Sequence, residues 1–464
     1  MAPLDRAALL DPNTCVTCHP QQYADWSHSM HANASDDPVF IAMNQRAVRE
    51  SNGQLGNFCV KCHAPVAVSE GMTTDGHELP SLQPAYKGVT CYFCHAATAV
   101  ADTHDNPITL ASDDSFFGPF GDPVAGMPHR GTYTPLLDSS RVESASFCGS
   151  CHDIVNQHGA AVERTFQEWQ GTTFADSKSG SANTCAECHM PPPLTSPGPA
   201  STVSTRARDL HGHEMPGVDL SLTNATTMQV QRPGVQAQLD TVVQSSVCFD
   251  SRAMKIWVTL DNVAAGHGFP SGATPDRRAW VEVQAFSGSS VIYQSGVAAA
   301  PAQEPNDPDL WLMRDCIYDA AGNPVTMFWQ AAMVAPSALP GSVTLTVTDP
   351  STFTKTHIKK IYPGDPAVIA SVPDRITVKV HLKAIGDDVL TDLVASGDLD
   401  AATAAQIPTY DLGYGGQVEW TPTTARPATQ LDPTGALSCV VTGGGAFKDT
   451  PNLAVSHAAC AMGH

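Results

Sequence analysis

The sequence predicts an α+β protein of two dissimilar parts: short helices and long loops first, then an antiparallel β-sandwich. Three observations predict it. Ten of the 14 cysteines and thirteen of the 18 histidines precede residue 214. Helical periodicity in that region is confined to short stretches, 20–31 and 163–175, set between loops rich in Gly and Pro. Beyond about residue 230 the period changes to two, and Val, Thr, Gly and Pro dominate. These shifts divide the 464 residues into 1–230, 231–400 and a C-terminal extension, 401–464.

The cysteines of the first part fall into five Cys-x-x-Cys-His motifs: Cys15/Cys18/His19, Cys59/Cys62/His63, Cys91/Cys94/His95, Cys148/Cys151/His152 and Cys185/Cys188/His189. Each is the attachment pattern of a c-type haem: the two thiols add to the vinyl groups, and the next histidine reaches the iron from the proximal side. Composition alone predicts roughly 0.02 such motifs. A zinc ribbon or thioredoxin-like site has no need of a histidine after every pair. The pattern therefore predicts five haem c groups, whose porphyrins supply the apolar mass that so loop-rich a segment lacks. After the fifth motif, Met190-Pro191-Pro192-Pro193 stops any helix and opens a linker or surface strap running to Pro199.

The second part reads as strands. Val343, Leu345 and Val347 alternate with threonines, and Ile376, Val378, Val380 and Leu382 alternate with Thr377, Lys379, His381 and Lys383. Stretches 255–260 and 279–286 follow the same rule, and the Gly/Pro/Asp-rich loops between them predict a sandwich. No nucleotide-binding fingerprint or P-loop occurs.

Against 46 acidic residues stand 25 basic ones, a net charge of −21. That surface argues against nucleic acid or anionic lipid as a partner and suits basic redox proteins. Haem c attachment takes place outside the bacterial or archaeal cytoplasm. The protein is thus expected to be exported, extracellular or at the cell surface, with the periplasm as the alternative. The first residues, Met1-Ala2-Pro3-Leu4-Asp5-Arg6, carry no basic or apolar leader pattern, so a processed form is expected. No apolar run is long enough to span a membrane. Of the remaining cysteines, Cys439 and Cys460 bracket a Gly-rich tail and are expected to pair. Cys248 with Cys316 follows by elimination, with buried free thiols as the alternative.

Six-coordinate iron requires a second axial ligand. Eight further histidines lie within the first 213 residues: His28, His31, His77, His104, His129, His158, His211 and His213. Bis-histidine ligation is the economical expectation. Met30, Met127, Met190 and Met215 are alternative ligands, better suited to packing.

Several segments resemble the multihaem cytochrome c family that includes the tetrahaem cytochromes of ammonia oxidisers and filament-forming extracellular cytochromes. They are Trp26-Ser27-His28-Ser29-Met30-His31-Ala32, Cys62-His63-Ala64-Pro65, Gly88-Val89-Thr90-Cys91, Phe147-Cys148-Gly149-Ser150-Cys151-His152, Phe166-Gln167-Glu168-Trp169 and Cys188-His189-Met190-Pro191. Residues 262–272, with Gly266-His267-Gly268-Phe269-Pro270-Ser271-Gly272, and Arg277-Arg278-Ala279-Trp280 resemble the module fused to such domains. The resemblance implies His31 as a distal ligand. It implies His129 between the third and fourth motifs, and His213 with His211 as its rival. His28, three residues before His31 on the same helical face, competes with it or serves a second haem. His267 sits between glycines that let the backbone approach a flat macrocycle. The fifth ligand lies between His104 and His77. His357 and His381, among lysines, are read as solvated, and His457 and His464 carry no assignment.

Three functions fit. If every iron holds two histidines, the chain conducts electrons and has no open site for chemistry. An open iron instead implies a reductase of nitrogen-oxide or hydroxylamine type. The β-part is either a cap over the haem array or a docking module. The resemblance also implies end-to-end assembly with copies of itself, a histidine being donated across the contact.

Overall fold

The computed structural model describes residues 4–124, 128–300, 303–344, 353–354, 357–444 and 447, of which 343, 344, 353, 354 and 357 are described as backbone only. It divides into two compact units. The first comprises Met1–Gln167, Phe174–Val235 and Thr391–Gln406; the second comprises Glu168–Thr173, Gln236–Leu390 and the chain from Ile407 onward.

The first unit is a succession of short helices with explicit starts. Asp5 caps Arg6–Leu10 by accepting from Ala8 N at 2.9 Å, and Asp37 caps Pro38–Glu50 by accepting from Phe40 N at 2.7 Å. Proline opens Pro20–Ser27, Pro38–Glu50 and Pro65–Ser69, where its missing N–H has no partner to lose. Thr184 and Glu187 form a reciprocal cap on Cys185–His189. Leu9, Leu10, Val66, Tyr92, Phe93 and Ala96 make one hydrophobic cluster in this unit, and Val60, Ala64, Ala67 and Leu79 another.

Two helices differ from expectation. The stretch 20–31 is broken, because Ser29 adopts an extended conformation (φ −77°, ψ 160°) and caps a new turn, Met30–Asn33. His28 and His31 therefore do not share a helical face. The stretch 163–175 begins with a strand, Ala161–Glu163, and only Thr165–Gln170 is helical.

The second unit contains a five-stranded and a six-stranded antiparallel sheet. In the first, Val243–Asp250 lies between Lys255–Asn262 and Leu437–Val441, with His357–Tyr362 and Arg426–Pro427 outermost. In the second, Arg278–Ser287 pairs with Arg375–Lys383 over its whole length, flanked by Ser290–Ser295 and Thr409–Asp411. Trp311–Met313 and Gln417–Trp420 complete it. The alternation read at 376–382 places Ile376, Val378, Val380 and Leu382 in the core, each at most 1% exposed. Phe249 of one sheet meets Trp420 of the other edge to face, ring centroids 5.5 Å apart. Most of the alternation read at 343–347 falls outside the described residues.

The C-terminal stretch is not set apart from this architecture. Residues 409–441 supply strands to both sheets, and the helix Ala401–Ala404 belongs to the first unit. The expected disulfides are also corrected. Cys439 lies directly opposite Cys248 on the neighbouring strand and bonds to it, S–S 2.04 Å. This rules out Cys439–Cys460 and Cys248–Cys316 as pairs; Cys460, like Met127, His457 and His464, lies outside the described residues. The bond closes a loop of sequence separation 191. Replacing both Cys248 and Cys439 by Ser is expected to cost about 2–5 kcal/mol, read as a lowered denaturation midpoint by far-ultraviolet circular dichroism.

Candidate functional site

Each Cys-x-x-Cys-His motif is wound as about one helical turn, which explains its spacing. His19 N reaches Cys15 O at 2.8 Å, His152 N reaches Cys148 O at 3.1 Å, and His63 N reaches Cys59 O at 3.4 Å. Positions i, i+3 and i+4 then share a side of the turn, so two thiols and an imidazole point the same way. All ten motif cysteines are only partly buried, whereas Cys248, Cys316 and Cys439 are at most 4% exposed.

The motifs cluster. The thiol of Cys15 lies close enough to that of Cys91 to shift its titration, as does Cys62 to Cys151 and Cys148 to Cys185. Cys94 is electrostatically coupled to Cys148 and Cys151. The first motif thus adjoins the third, and the fourth adjoins the second, third and fifth.

Every motif histidine has its Nδ1 held by an oxygen. The acceptors are Ala200 O for His19 (2.8 Å), Ala34 O for His63 (3.2 Å), Phe117 O for His95 (2.7 Å), Glu163 Oε1 for His152 (3.3 Å) and Pro216 O for His189 (2.8 Å). An Nδ1–H donated this way leaves the Nε2 lone pair for a metal and fixes the ring's direction. Phe40 stacks flat on His63, centroids 3.8 Å apart.

Three other histidines face motif histidines. His129 lies 6.3 Å from His19, His31 lies 6.2 Å from His152, and His213 lies 6.5 Å from His95, centroid to centroid. Two imidazoles bound trans to one metal, with bonds of roughly 2 Å and ring centres about 1 Å behind the nitrogens, stand about 6 Å apart. The donor set and its separations therefore fit haem iron between each pair. Burial pushes His31 down to about 3, assisted by His152, His189 and His63, and holds His129 and His213 near 4, so all three are neutral imidazoles at neutral pH. At His152 burial opposes charging, while the hydrogen bond and charge of Glu163, with the neighbouring Cys151 and Cys148, favour it.

The segments around His31 show why the chain has these residues there. Trp26 Nε1 donates to Val89 O at 2.8 Å, Val89 N donates to His31 O at 2.8 Å, and Ser29 Oγ accepts from Ala32 N at 3.2 Å. The Trp-x-x-Ser-x-His-Ala and Gly-Val-Thr-Cys segments are thus one assembly that positions His31. Gly88 is required within it: its φ is +66°, and an added Cβ would stand 2.5 Å from His31 O. Gly149 of the fourth motif is likewise covered by the ring of Phe166.

The remaining expected residues sit elsewhere. His28 ends the helix Pro20–Ser27 with Nδ1 3.2 Å from Thr227 Oγ1. His104 is 2.9 Å from Asp105 Oδ2, in a loop tied by Asn106 to Ser150 O and to Lys61 O. His77 has a 62% exposed side chain beside Asp75. His211 is engaged at both nitrogens, by Met190 O (3.0 Å) and Ser139 Oγ (2.9 Å). Met215 Sδ lies 2.9 Å from His31 Nδ1. In the second unit His267 Nδ1 is 2.8 Å from Gly268 O, and Glu168 clasps that loop through Gly268 N (3.0 Å) and Ser271 Oγ (2.6 Å). His381, read as solvated, is 8% exposed and lies between Asp411 and Glu282. Sequence reading missed Glu163, Phe40 and Glu168. Only Glu168 left a signal, in its Phe-Gln-Glu-Trp segment.

Residues 14–96 match the family model of cytochrome c554 and c-prime, and residues 130–228 match that of the N-terminal region of the NapC/NirT cytochrome c family. The chain is a multihaem cytochrome c, and haem c is its cofactor. It is similar in fold to a penta-heme cytochrome c552 from Thermochromatium tepidum, with a TM-score of 0.61 and 18% identity over 90% of this chain and 100% of that one. No curated protein matches the sequence. Gly88→Ala is expected to cost roughly 1–3 kcal/mol, from strain at positive φ, and to displace His31. Thermal denaturation of the holoprotein together with its low-spin absorbance measures both effects.

Proposed function

We propose that this chain conducts electrons through five covalently bound haem c groups, in extracellular electron transfer and as a polymer of itself. The observation that carries the reading is the three facing imidazole pairs, each with a motif histidine anchored through Nδ1. Haem c, when bound, supplies one-electron ferric/ferrous chemistry. His19 with His129, His95 with His213, and His152 with His31 are the proposed axial pairs. The second ligands of His63 and His189 are proposed to come from His28 and His104. For His104 the support is its loop, tied to both the second and the fourth motif. The clustered thiols support a contiguous array, in which electrons pass between neighbouring motifs without a substrate pocket.

The partners proposed are other redox proteins or extracellular acceptors, and the NapC/NirT match supports a redox partner. The net charge of −21 favours basic ones. A location outside the cytoplasm follows from the attachment chemistry. Among the described residues no helix is long and apolar enough to cross a membrane. For polymerisation the support is His28: with Nδ1 beside Thr227, its Nε2 is the nitrogen available to an iron, including one in a neighbouring copy.

The ferric holoprotein is expected to be low-spin, and His31→Gly, His129→Gly and His213→Gly are each expected to turn one haem in five high-spin. Absorbance and electron paramagnetic resonance (EPR) spectra measure this. A high-spin haem in the unaltered protein, with nitrite or hydroxylamine turnover, favours the reductase reading instead. Electron microscopy of native material is expected to show thin unbranched filaments; monomers alone, with every axial ligand internal, would refute assembly.

A further inference from the structure

Four of the five motif histidines donate Nδ1–H to a neutral backbone carbonyl: Ala200, Ala34, Phe117 and Pro216. His152 differs, because its acceptor is the carboxylate of Glu163, at 3.3 Å. The arrangement is built locally. The chain leaves the fourth motif as the strand Ile154–Val155, turns at Gly159 (φ +80°), and returns as Ala161–Glu163, with Glu163 opposite Ile154. That register brings the carboxylate back beside the histidine two residues before the strand. Its side chain is 19% exposed. The adjacent Arg164 directs its guanidinium to Gln167.

We infer that Glu163 is a positioning residue that holds the fourth motif's iron at the lowest reduction potential among the three facing pairs. This rests on the proposed ligation of His152 and His31. A carboxylate accepting Nδ1–H makes the imidazole a stronger donor than a carbonyl does. The stronger donor favours ferric over ferrous iron, and the negative charge acts in the same direction. One electron from an external reductant converts ferric to ferrous iron with no bond to His152 made or broken.

A second observation makes this iron separately visible. The His31 and His152 rings are 70° apart in plane, whereas the His19/His129 and His95/His213 pairs are 30° and 24° apart. Each imidazole interacts through its π system with one of two iron d orbitals. Near-parallel rings split that pair, while near-perpendicular rings leave it almost degenerate and enlarge the highest g value. The fourth motif's iron is thus expected to give a distinct, strongly anisotropic signal among rhombic ones.

The test is a potentiometric titration of the holoprotein with dithionite, followed by EPR at low temperature. In the unaltered protein the anisotropic signal should be lost after the rhombic ones. In Glu163→Gln, which keeps an acceptor oxygen but no charge, its g value should persist while its potential rises, the rhombic signals staying in place. In Glu163→Asp, which keeps the charge, it should shift less than in the Gln variant. An anisotropic signal lost before the rhombic ones, or unmoved in Glu163→Gln, overturns the role of Glu163. Absence of that signal from the unaltered protein removes the His152/His31 pairing itself, and this inference with it.

Discussion

The first unit depends on one hydrogen bond made five times. An imidazole that is to bind iron must keep one nitrogen free and must not rotate, and both demands are met when the other nitrogen donates to a fixed oxygen. Those oxygens come from other parts of the chain: 181 residues away for His19, 29 for His63, 22 for His95, 11 for His152 and 27 for His189. The bonds therefore do more than orient rings. Each ties a connecting segment to a motif, and the long loops between motifs run where these acceptors have to be delivered. The segment after Met190 shows it: read as a surface strap, it returns to the first motif, where Ala200 O meets His19 and Thr202 N meets Cys18 O at 2.8 Å.

The two units meet the demand for burial differently. The second has what an ordinary sheet protein has, with Val247, Ile256, Val258, Leu260, Val281, Val283 and Val380 removed from water on facing strands. In the first, all ten motif thiols fall short of burial, whereas the other described cysteines are buried. Haem suits that deficit, since a porphyrin held by two thioethers and an imidazole is a large apolar body that the backbone need not build.

What the sequence disclosed follows from how local each feature is. The five motifs were legible because thiols and imidazole share one turn of helix, so their chemistry is written within five residues. The sandwich was legible in the alternation at 376–382 for the same reason. The acceptors for Nδ1 were not, since a backbone carbonyl carries no side-chain identity: nothing in Ala34, Phe117 or Pro216 announces its partner. Glu163 was hidden by an incorrect helix assignment over 163–175. His28 and His31 were set on one face because their spacing is helical, but Ser29 prefers to cap, and it restarts the helix between them. The disulfides were misjudged because 401–464 was treated as a tail, whereas Leu437–Val441 is a strand beside Val243–Asp250.

That last pairing bears on the order in which the molecule can be completed. The strand Val243–Asp250 is interior to its sheet, yet one of its two neighbours is the nearby Lys255–Asn262 and the other is Leu437–Val441, near the end of the chain. While the chain grows from its N-terminus, one side of this strand keeps its N–H and C=O groups unpaired until nearly two hundred further residues have appeared. An open edge on a largely buried strand is a template for the wrong partner. The closing strand thus arrives late, and the covalent link at Cys439 joins the last-made part of the sheet to the first.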